Sequence, residues 1–370
     1  MAAALFLWEG PKVKIVKWVG LLLLLILAGL SGIGYYVFEQ LKPAEASSEE
    51  IVFIIPEGAS SGRIAMILEE EGLVRDGTIL SYYFRYKGIG TEFQAGTYAM
   101  TPGISVQEMI RKLNAGETVK EETLRFTLPE GFTVAQTIGL LAESLGFSRE
   151  KLEQLAQTPS SFAKHPATGE ATHAAGIPER SDYRFKLEGY LFPETYELSK
   201  DATEEDAFFR MIAELDRKLG TLPEGWEARL AERGITFHEL MTIASLVERE
   251  VVADTERALV AGVIYNRIEK GMPLQIDATV QYLFDEQKER LFEKDLQIES
   301  PYNTYLNAGL PPGPIASPGL ESIRAALYPE ASEYLFYVTK KDGSGEHLFA
   351  KTYEEHLRNI RKSNETAAGT

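Results

Sequence analysis

A long uncharged segment near the N-terminus constrains this chain more than any other feature of its sequence. Residues 18–38 read WVGLLLLLILAGLSGIGYYVF, and Lys12, Lys14 and Lys17 precede them. At about 1.5 Å per residue, a helix of this length crosses a hydrocarbon layer of about 30 Å. Positively charged flanks stay on the cytoplasmic side of a membrane. The segment therefore predicts one transmembrane helix over 18–38, a cytoplasmic tail over 1–17 and an extracytoplasmic (periplasmic) location for the remainder.

A cleaved signal peptide is the alternative interpretation of this segment. Ala44-Glu45-Ala46 resembles a small-residue cleavage site. The apolar core of a signal peptide spans about 7–15 residues, which is shorter than the segment observed here. Either interpretation exports the rest of the chain, and retention predicts a single-pass protein of the cell inner (plasma) membrane. Because the sequence contains no cysteine, the exported part must be stabilised by burial rather than by disulfides.

The charge balance and the histidine pattern argue against several classes of site. Acidic residues outnumber basic ones by 55 to 38, giving a net charge of −17, so a nucleic-acid partner is not expected. The five histidines form neither an HExxH motif nor a cysteine–histidine cluster, so we expect no metal site. The sequence has no phosphate-cradling GxxxxGK[ST] motif, and we expect no cofactor.

Past the anchor, a polar linker over 39–50 leads into a small module over 51–120. Its apolar spacing predicts a strand, two helices and a returning strand, at 51–57, 60–72, 77–87 and 92–100. This βααβ order resembles the LysM fold, which binds glycans that contain N-acetylglucosamine. A spacer that holds the following domain away from the membrane is the alternative interpretation.

The remaining residues, 121–370, predict a mixed α/β domain, so the fold class of the whole chain is α+β. The segment 158–182 is rich in small and turn-forming residues and predicts a loop or lid. A second long loop, 300–319, carries many prolines and glycines, and we expect those of 309–319 to shape a groove floor rather than to contact substrate. The other predicted elements are helices around 203–219, 236–251, 254–270 and 320–327, and a hairpin at 334–352.

The helix predicted at 236–251 carries two glutamates, Glu248 and Glu250, within the apolar stretch LMTIASLVEREVVAD. On a helical projection they lie at opposite edges of one apolar stripe, so the projection alone does not choose between them. Side chains on a helix lean towards its N-terminus, which places Glu250 over Leu246 and Val247, and Glu248 over smaller residues. Desolvation by large apolar neighbours would raise the pKa of Glu250, as a general acid requires.

Several motifs together give the chain a specific resemblance. They are LEGYLFPETY at 187–196, ASLVERE at 244–250, YNRIEKGMPLQIDATVQY at 265–282, PYNTY at 301–305 and GLPPGPIASPG at 309–319. In this order they resemble the endolytic murein transglycosylase (YceG-like) family over essentially the whole chain. The resemblance implies that the catalytic acid is the second glutamate of the Glu-x-Glu pair, Glu250. Glu248 is the second choice, because Val251 replaces the small polar residue that follows the glutamate in related soluble transglycosylases.

The resemblance also implies the reaction. A lytic transglycosylase cleaves the β-1,4 bond between N-acetylmuramic acid and N-acetylglucosamine without water, leaving a 1,6-anhydro end. Cleavage within nascent peptidoglycan strands would end their elongation. One carboxyl group suffices as acid and then as base. Residues on segments that could line a sugar groove are Glu188, Gln275, Asp277, Tyr302, Asn303 and Tyr305, although each could instead fix a loop or pack in the core.

The expected partners follow from this interpretation. They are peptidoglycan glycan strands, membrane lipid around the single helix, and cell-wall synthases (penicillin-binding proteins) as candidates. A non-catalytic, membrane-tethered glycan-binding scaffold for those synthases is the alternative function. A hydrolase that adds water is a third reading, which differs only in its product.

Overall fold

The computed structural model describes residues 11–119 and 123–369, and these two ranges form two compact units. Within the described residues the strands form three separate antiparallel pairs, and helices make up most of the rest. The fold is therefore mixed α+β, as the sequence predicts.

Helix α1, Pro11–Gln40, contains the apolar segment. Its stretch Trp18–Gln40 has 23 residues with a mean hydropathy of 2.2, and none of it is buried in the protein. By length and composition this stretch can cross a membrane, and a signal sequence would meet the same criterion. Residues 1–10 of the predicted cytoplasmic tail lie outside the described residues.

The first unit continues with a two-stranded sheet and two helices between its strands. Phe53 and Ile55 of the first strand are buried, while Val52 and Ile54 are exposed, as period-2 alternation requires. Both strands are shorter than predicted. The first ends at Ile55 because the turn at Pro56 follows it. The elements are β1 Ile51–Ile55, α2 Ser61–Glu70, α3 Gly77–Lys87, β2 Gly96–Met100 and α4 Val106–Ala115, with β1 antiparallel to β2.

The predicted linker at 39–50 is not free of this unit. Arg75 donates from Nε to the carbonyl oxygen of Pro43 at 3.2 Å and lies 3.6 Å from the Glu39 carboxylate. Leu41 packs against the core of the unit. The start of the linker is thereby held against the helix pair that follows β1.

The second unit has one large hydrophobic core, which α9 crosses. Its strands β3 and β4 pair from Thr123 with Ser199 to Thr127 with Thr195, and β5 and β6 form the predicted hairpin. The elements are β3 Thr123–Thr127, α5 Val134–Leu145, α6 Arg149–Ala156, β4 Thr195–Ser199, α7 Glu204–Leu219, α8 Trp226–Arg233, α9 Phe237–Glu250, α10 Arg257–Glu269, α11 Asp277–Gln281, α12 Leu320–Leu327, β5 Phe336–Thr339, β6 His347–Ala350 and α13 Tyr353–Gly369.

Helix α9 is the glutamate-bearing helix, and its ends are well defined. Thr236 caps its N-terminus in a capping box with Glu239. It ends at Glu250 because Val251 adopts an extended backbone, with φ −106° and ψ 130°. All residues from Leu240 to Val247 are buried. The buried surface of α9 is therefore wider than the single apolar stripe predicted from the sequence. The reason is that α10, α11, α12 and the loop after residue 309 surround the helix.

Most of the loop 309–319 lies in the interior, whereas Leu310, Pro311 and Pro312 border an open depression, which has a volume of about 570 Å³ and does not contain Glu250. The backbone N–H of Ile315 donates to the Ser245 hydroxyl of α9 at 3.1 Å. The backbone of Ser317 bonds to Gly131 and Phe132, which precede α5. The part of the loop that follows residue 312 therefore packs between α9 and the start of α5, and the part up to residue 312 borders a surface depression.

Candidate active site

An open cleft lies at the C-terminal end of α9, and Glu250 forms part of its wall. Its volume of about 530 Å³ falls within the usual range for ligand sites. We call it the Glu250 cleft. The side chains that line it come from the end of α9, α10, the segment that leads into α11 and its first residue, the turn at 300–305, the hairpin and α13: Arg249, Glu250, Arg267, Leu274, Gln275, Asp277, Tyr305, Tyr337, Val338, Thr339, His347, His356 and Ile360.

The Glu250 carboxyl is desolvated although the residue borders the cleft. Burial raises its pKa above the ordinary value, and the negative charge of Asp277 acts in the same direction. The Tyr337 hydroxyl donates to Glu250 Oε2 at 2.8 Å, which limits this rise. Glu250 is also the last residue of α9, where the partial negative charge of a helix C-terminus disfavours a carboxylate. The direction of the shift agrees with the expectation from sequence.

Glu248 lies on the other side of α9, in a different environment. Its Oε2 accepts the backbone N–H of Gly319 at 2.9 Å, and its Oε1 lies 3.3 Å from Nη1 of Arg257. The two side chains of this ion pair are only 7% and 11% exposed. Arg257 further donates to Ser322 and Asp254. Glu248 thus links α9 to α10 and to the start of α12, and both of its oxygens already have partners.

Arg267 on α10 connects two sides of the Glu250 cleft, the hairpin and the segment before α11. Its Nε donates to the carbonyl oxygen of Leu335, just before the hairpin, at 2.6 Å. Its Nη1 donates to the carbonyl oxygens of Pro273 and Leu274, at 3.2 and 2.6 Å. Burial lowers the pKa of the Arg267 guanidinium. Because the ordinary pKa of arginine is very high, the group stays charged. One side chain therefore fixes the hairpin relative to the segment that leads into α11.

His347 supports the hairpin from the opposite strand. Its ring Nδ1 pairs with Glu256 Oε2 at 2.8 Å, and its backbone N–H donates to the same carboxylate. The ring packs edge-on against Tyr337, with 5.3 Å between ring centroids. Tyr337 is thereby held in the position from which its hydroxyl reaches Glu250.

Comparison with known proteins identifies the family. The family model described as the YceG-like family matches residues 53–362. This chain belongs to the YceG-like family. Its curated relatives include the endolytic murein transglycosylase of Bacillus subtilis (strain 168), 35% identical over 333 residues, which cover 88% of this chain and 89% of that protein. The endolytic murein transglycosylase of Streptococcus pneumoniae (strain D39) is 35% identical over 360 residues, covering 91% of this chain but 63% of the longer pneumococcal protein.

A solved YceG-like structure agrees with this assignment. A crystal structure of a YceG-like protein from Listeria monocytogenes aligns with a TM-score of 0.55 at 32% identity. The alignment covers 84% of this chain and 99% of that one. The curated relatives are named as lytic transglycosylases, so the YceG-like chain described here is a member of an enzyme family of that class.

Three of the residues proposed for sugar binding line the Glu250 cleft of this YceG-like protein. Asp277 begins α11 and accepts a hydrogen bond from the Tyr305 hydroxyl. Gln275 has a positive φ of 52°, a conformation that costs free energy in a residue other than glycine. The backbone N–H of Gln275 donates to the carbonyl of Thr304 at 3.1 Å, which helps hold it there. The structure therefore brings Gln275, Asp277 and Tyr305 together with Glu250.

The other three lie in the interior. Tyr302 is 3% exposed and packs against Tyr282, with 5.0 Å between ring centroids. Asn303 is fully buried and donates to the carbonyls of Leu296 and Ile298. Their expected groove contact is corrected to core packing and loop fixing, because of the three candidates in the turn at 300–305 only Tyr305 lines the Glu250 cleft.

Glu188 is likewise buried, at 1% exposure. It accepts the N–H of Val134, the first residue of α5, at 2.9 Å and the Tyr282 hydroxyl at 3.0 Å. Burial raises its pKa to about 7. Within the described residues its hydrogen bonds join α5 to the segment after α11 and do not reach Glu250.

Among the cleft residues that were not singled out from the sequence are Arg267, Tyr337, His347 and His356. The hairpin was predicted, and strand alternation places Tyr337 and Thr339 on one face of it. The sequence held no signal that this face meets the end of α9, since that contact joins residues 87 positions apart.

Proposed function

We propose that this chain cleaves the β-1,4 bond between N-acetylmuramic acid and N-acetylglucosamine inside nascent peptidoglycan strands and leaves 1,6-anhydro-muramoyl ends. Glu250 is the acid that serves this reaction. The observation that carries the proposal is the contrast between the two glutamates: Glu250 borders an open cleft with a raised pKa, whereas Glu248 is committed to Arg257 and Gly319. The names of the curated relatives support the same substrate class.

The proposed mechanism uses one carboxyl group twice. Protonated Glu250 gives its proton to the bridging oxygen as the bond to the muramoyl anomeric carbon breaks. The resulting carboxylate then takes the proton of the C6 hydroxyl as that oxygen closes the anhydro ring on the anomeric carbon. The reaction needs no water, and the attacking group is already held in the same sugar.

Neighbouring side chains have supporting roles in this mechanism. The Tyr337 hydroxyl orients the Glu250 carboxyl and stabilises its anionic form between the two proton transfers. Asp277 places a second negative charge in the cleft, which favours positive charge developing at the anomeric carbon. Gln275 offers an amide for hydroxyl and acetamido groups.

Mass spectrometry of strands digested by the intact protein tests the reaction. Uncrosslinked strands should yield anhydro ends, which are one water lighter than the reducing ends that a hydrolase would produce. The size distribution early in the digestion should show cuts inside strands, not release of terminal disaccharides. Reducing ends would replace the transglycosylase with a hydrolase, and unchanged strands would favour the scaffold.

The proposal places this reaction outside the cytoplasm, close to the membrane. Residues 18–38 anchor the chain, residues 1–17 stay cytoplasmic, and 40–370 are exported, where strands leave the cell-wall synthases. The length and composition of α1 and the preceding lysines support this topology. Protease added to intact spheroplasts should remove the second unit, and protection of that unit would contradict the orientation.

The βααβ segment of the first unit is proposed to be a LysM-like glycan-binding module. The order β1, α2, α3, β2 supports this assignment. Deleting residues 51–101 should weaken binding to isolated glycan strands while the second unit stays folded. Undiminished binding would make the segment a spacer.

A further inference from the structure

One wall of the Glu250 cleft follows the main chain of strand β5. Three consecutive residues of this strand, Tyr337, Val338 and Thr339, line the cleft. Because successive side chains of a strand point to opposite faces, a cleft that touches three residues in a row runs along the strand's edge. Strand β5 pairs with β6 and, among the described residues, with no other strand. Its second edge therefore stays open on the side of the cleft.

The hydrogen-bond alternation of the hairpin shows which main-chain groups point to that open edge. Opposite residues in an antiparallel pair alternate between hydrogen-bonded and non-hydrogen-bonded pairs. The N–H of Lys340 donates to the carbonyl oxygen of Glu346 at 2.8 Å. In the register of the hairpin, Val338 is therefore hydrogen-bonded to β6 as well. The main-chain groups of Tyr337 and Thr339 then point away from β6.

Contacts of β6 agree with this alternation. The two residues of β6 that lie opposite Tyr337 and Thr339 should also direct their main-chain groups outwards. The carbonyl oxygen of Phe349 accepts a hydrogen bond from the Asn359 side chain at 3.1 Å. The backbone N–H of His347 donates to the Glu256 carboxylate at 3.0 Å. Both groups thus bond to partners outside the hairpin.

Two side chains close the ends of the open edge. Nε of Arg267 donates to the carbonyl oxygen of Leu335, and the Ser363 hydroxyl donates to the carbonyl oxygen of Thr339, each at 2.6 Å. Between these contacts, the N–H and C=O of Tyr337 and the N–H of Thr339 have no partner among the described residues. We call these three groups the β5 edge. It offers two donors and one acceptor.

This arrangement of groups fits a short extended peptide. An unpaired strand edge is a template on which a peptide can add as a further strand, held by main-chain hydrogen bonds. The two contacts at its ends limit the β5 edge to a few peptide residues. The Tyr337 hydroxyl donates to Glu250, so a peptide bound at the β5 edge would lie one tyrosine side chain away from the proposed acid.

We propose that the β5 edge binds the stem peptide of the muramoyl residue at the scissile bond as an added strand. The stem is the short peptide that N-acetylmuramic acid carries on its lactyl group. An extended stem residue donates its N–H to the Tyr337 carbonyl and accepts from the Tyr337 N–H, and a further stem carbonyl accepts from Thr339. This inference rests on the proposed function for the identity of the strand, and it makes the stem part of what the enzyme recognises.

Strands with and without stems test this proposal in the unaltered protein. An amidase that cuts the bond between the lactyl group and the peptide converts stem-bearing strands into stripped strands of the same glycan length. The KM for anhydro-end release should be at least about tenfold higher on stripped strands, because the hydrogen bonds of the β5 edge are lost. Equal KM on both kinds of strand would overturn the proposal.

Thr339→Pro removes one donor of the β5 edge. Its N–H points away from β6, so proline deletes no bond of the hairpin ladder. The preference for stem-bearing strands should fall about fivefold, which corresponds to the ~1 kcal/mol of one hydrogen bond. Thr339→Ala is the matched control, which keeps the N–H and should keep the preference. A proline variant that raises KM equally on both kinds of strand would mean a distorted cleft and would count against the proposal.

Amide hydrogen exchange separates failure of this inference from failure of the proposed function and needs no substitution on β5. Glu250→Gln, which should leave the strands uncut, is mixed with stem-bearing or stripped strands. Exchange at Tyr337 and Thr339 should be fast in the free protein and with stripped strands, and about tenfold slower with stem-bearing strands. This protection would support the inference even if the unaltered protein releases no anhydro ends.

Two outcomes of the exchange experiment contradict the inference. Release of anhydro ends by the unaltered protein, without protection at Tyr337 and Thr339, would leave the proposed function in place and remove the stem from the β5 edge. Protection that increases with protein concentration in the absence of strands would assign the edge to a second copy of the chain.

Discussion

The Tyr337–Glu250 hydrogen bond is the most informative single contact in the proposed mechanism. Tyr337→Phe keeps the ring packed against His347 but removes the donor. Because that donor lowers the pKa of Glu250, its loss should raise the pKa further. The acid must start protonated, so the alkaline limb of the kcat/KM profile should move to higher pH, with a lower maximum because the carboxyl is less well oriented.

Tyr353→Phe is the control for this prediction, since Tyr353 is 62% exposed and does not line the Glu250 cleft. The measurement is the pH dependence of anhydro-end formation by the three proteins. An alkaline limb that stays in place in Tyr337→Phe would mean that this hydroxyl does not tune the acid.

At the scale of single residues, the sequence predicted that the pKa of Glu250 is raised, but not which side chains surround its carboxyl group. Helical geometry placed Glu250 at the edge of a buried face, which was enough to predict the direction of its pKa shift. The nearest polar partner comes from a hairpin 87 positions later, and no local pattern indicates that contact. For Tyr302 and Asn303, composition alone could not distinguish a loop that lines a groove from one that folds inwards.

At the level of elements, Arg267 holds the hairpin and the segment before α11 in one arrangement. Arg267→Lys keeps the charge but cannot supply several donors in a fixed plane to Leu335, Pro273 and Leu274. Loosening this brace should reduce kcat about tenfold, because misplacement of catalytic groups costs rate more than it costs folding. Circular dichroism should be unchanged.

Arg358→Lys on the exposed face of α13 is the matched control, since Arg358 forms an exposed ion pair with Glu354 and does not line the Glu250 cleft. It should retain full activity. Equal activity of the two variants would show that the carbonyl contacts of Arg267 do not position the cleft.

Helices were predictable because their signals are local. Thr133 with Gln136, and Thr236 with Glu239, are capping boxes that mark the starts of α5 and α9 in the sequence. The hairpin was likewise marked by a glycine-rich turn. The burial of most of the loop at 309–319 was not predictable, because glycine and proline indicate an irregular path but not whether that path is buried. Its burial depends on contacts with Ser245 and with the backbone before α5.

For the whole molecule, the buried Glu188 should make the stability of the second unit depend on pH. Its pKa of about 7 lies above the ordinary 4.5, so the folded state binds more protons than the unfolded state between these values. Stability therefore falls as pH rises from about 4.5 to 7, by roughly 3 kcal/mol from this group alone. Below pH 4.5 this cost is absent, and above 7 it is complete.

Glu188→Gln removes this titration. The glutamine amide can still accept a hydrogen bond from the Val134 N–H and can donate one to the Tyr282 hydroxyl. Thermal unfolding between pH 5 and pH 8 should show a smaller loss of stability in Glu188→Gln than in the unaltered protein. Comparing the two proteins cancels the contributions of all other titrating groups. Parallel curves would mean that Glu188 does not titrate in this range.

The choice between Glu250 and Glu248 tests the account most directly. Glu250→Gln keeps the volume and one hydrogen bond of the side chain but cannot deliver a proton, so anhydro-end formation should fall by about 100-fold or more. Its stability near neutral pH should stay level or rise, since a carboxyl with a raised pKa is removed. Glu248→Gln should keep most of its activity per folded molecule but lose about 2–4 kcal/mol of stability, because Arg257 loses a buried charged partner.

The measurement is the rate of anhydro-end release from purified uncrosslinked strands, by both variants and the unaltered protein, at a temperature where all three are folded. We predict an inactive, stable Glu250→Gln and an active, less stable Glu248→Gln. An active Glu250→Gln beside a folded but inactive Glu248→Gln would contradict the account and move the acid to the opposite side of α9.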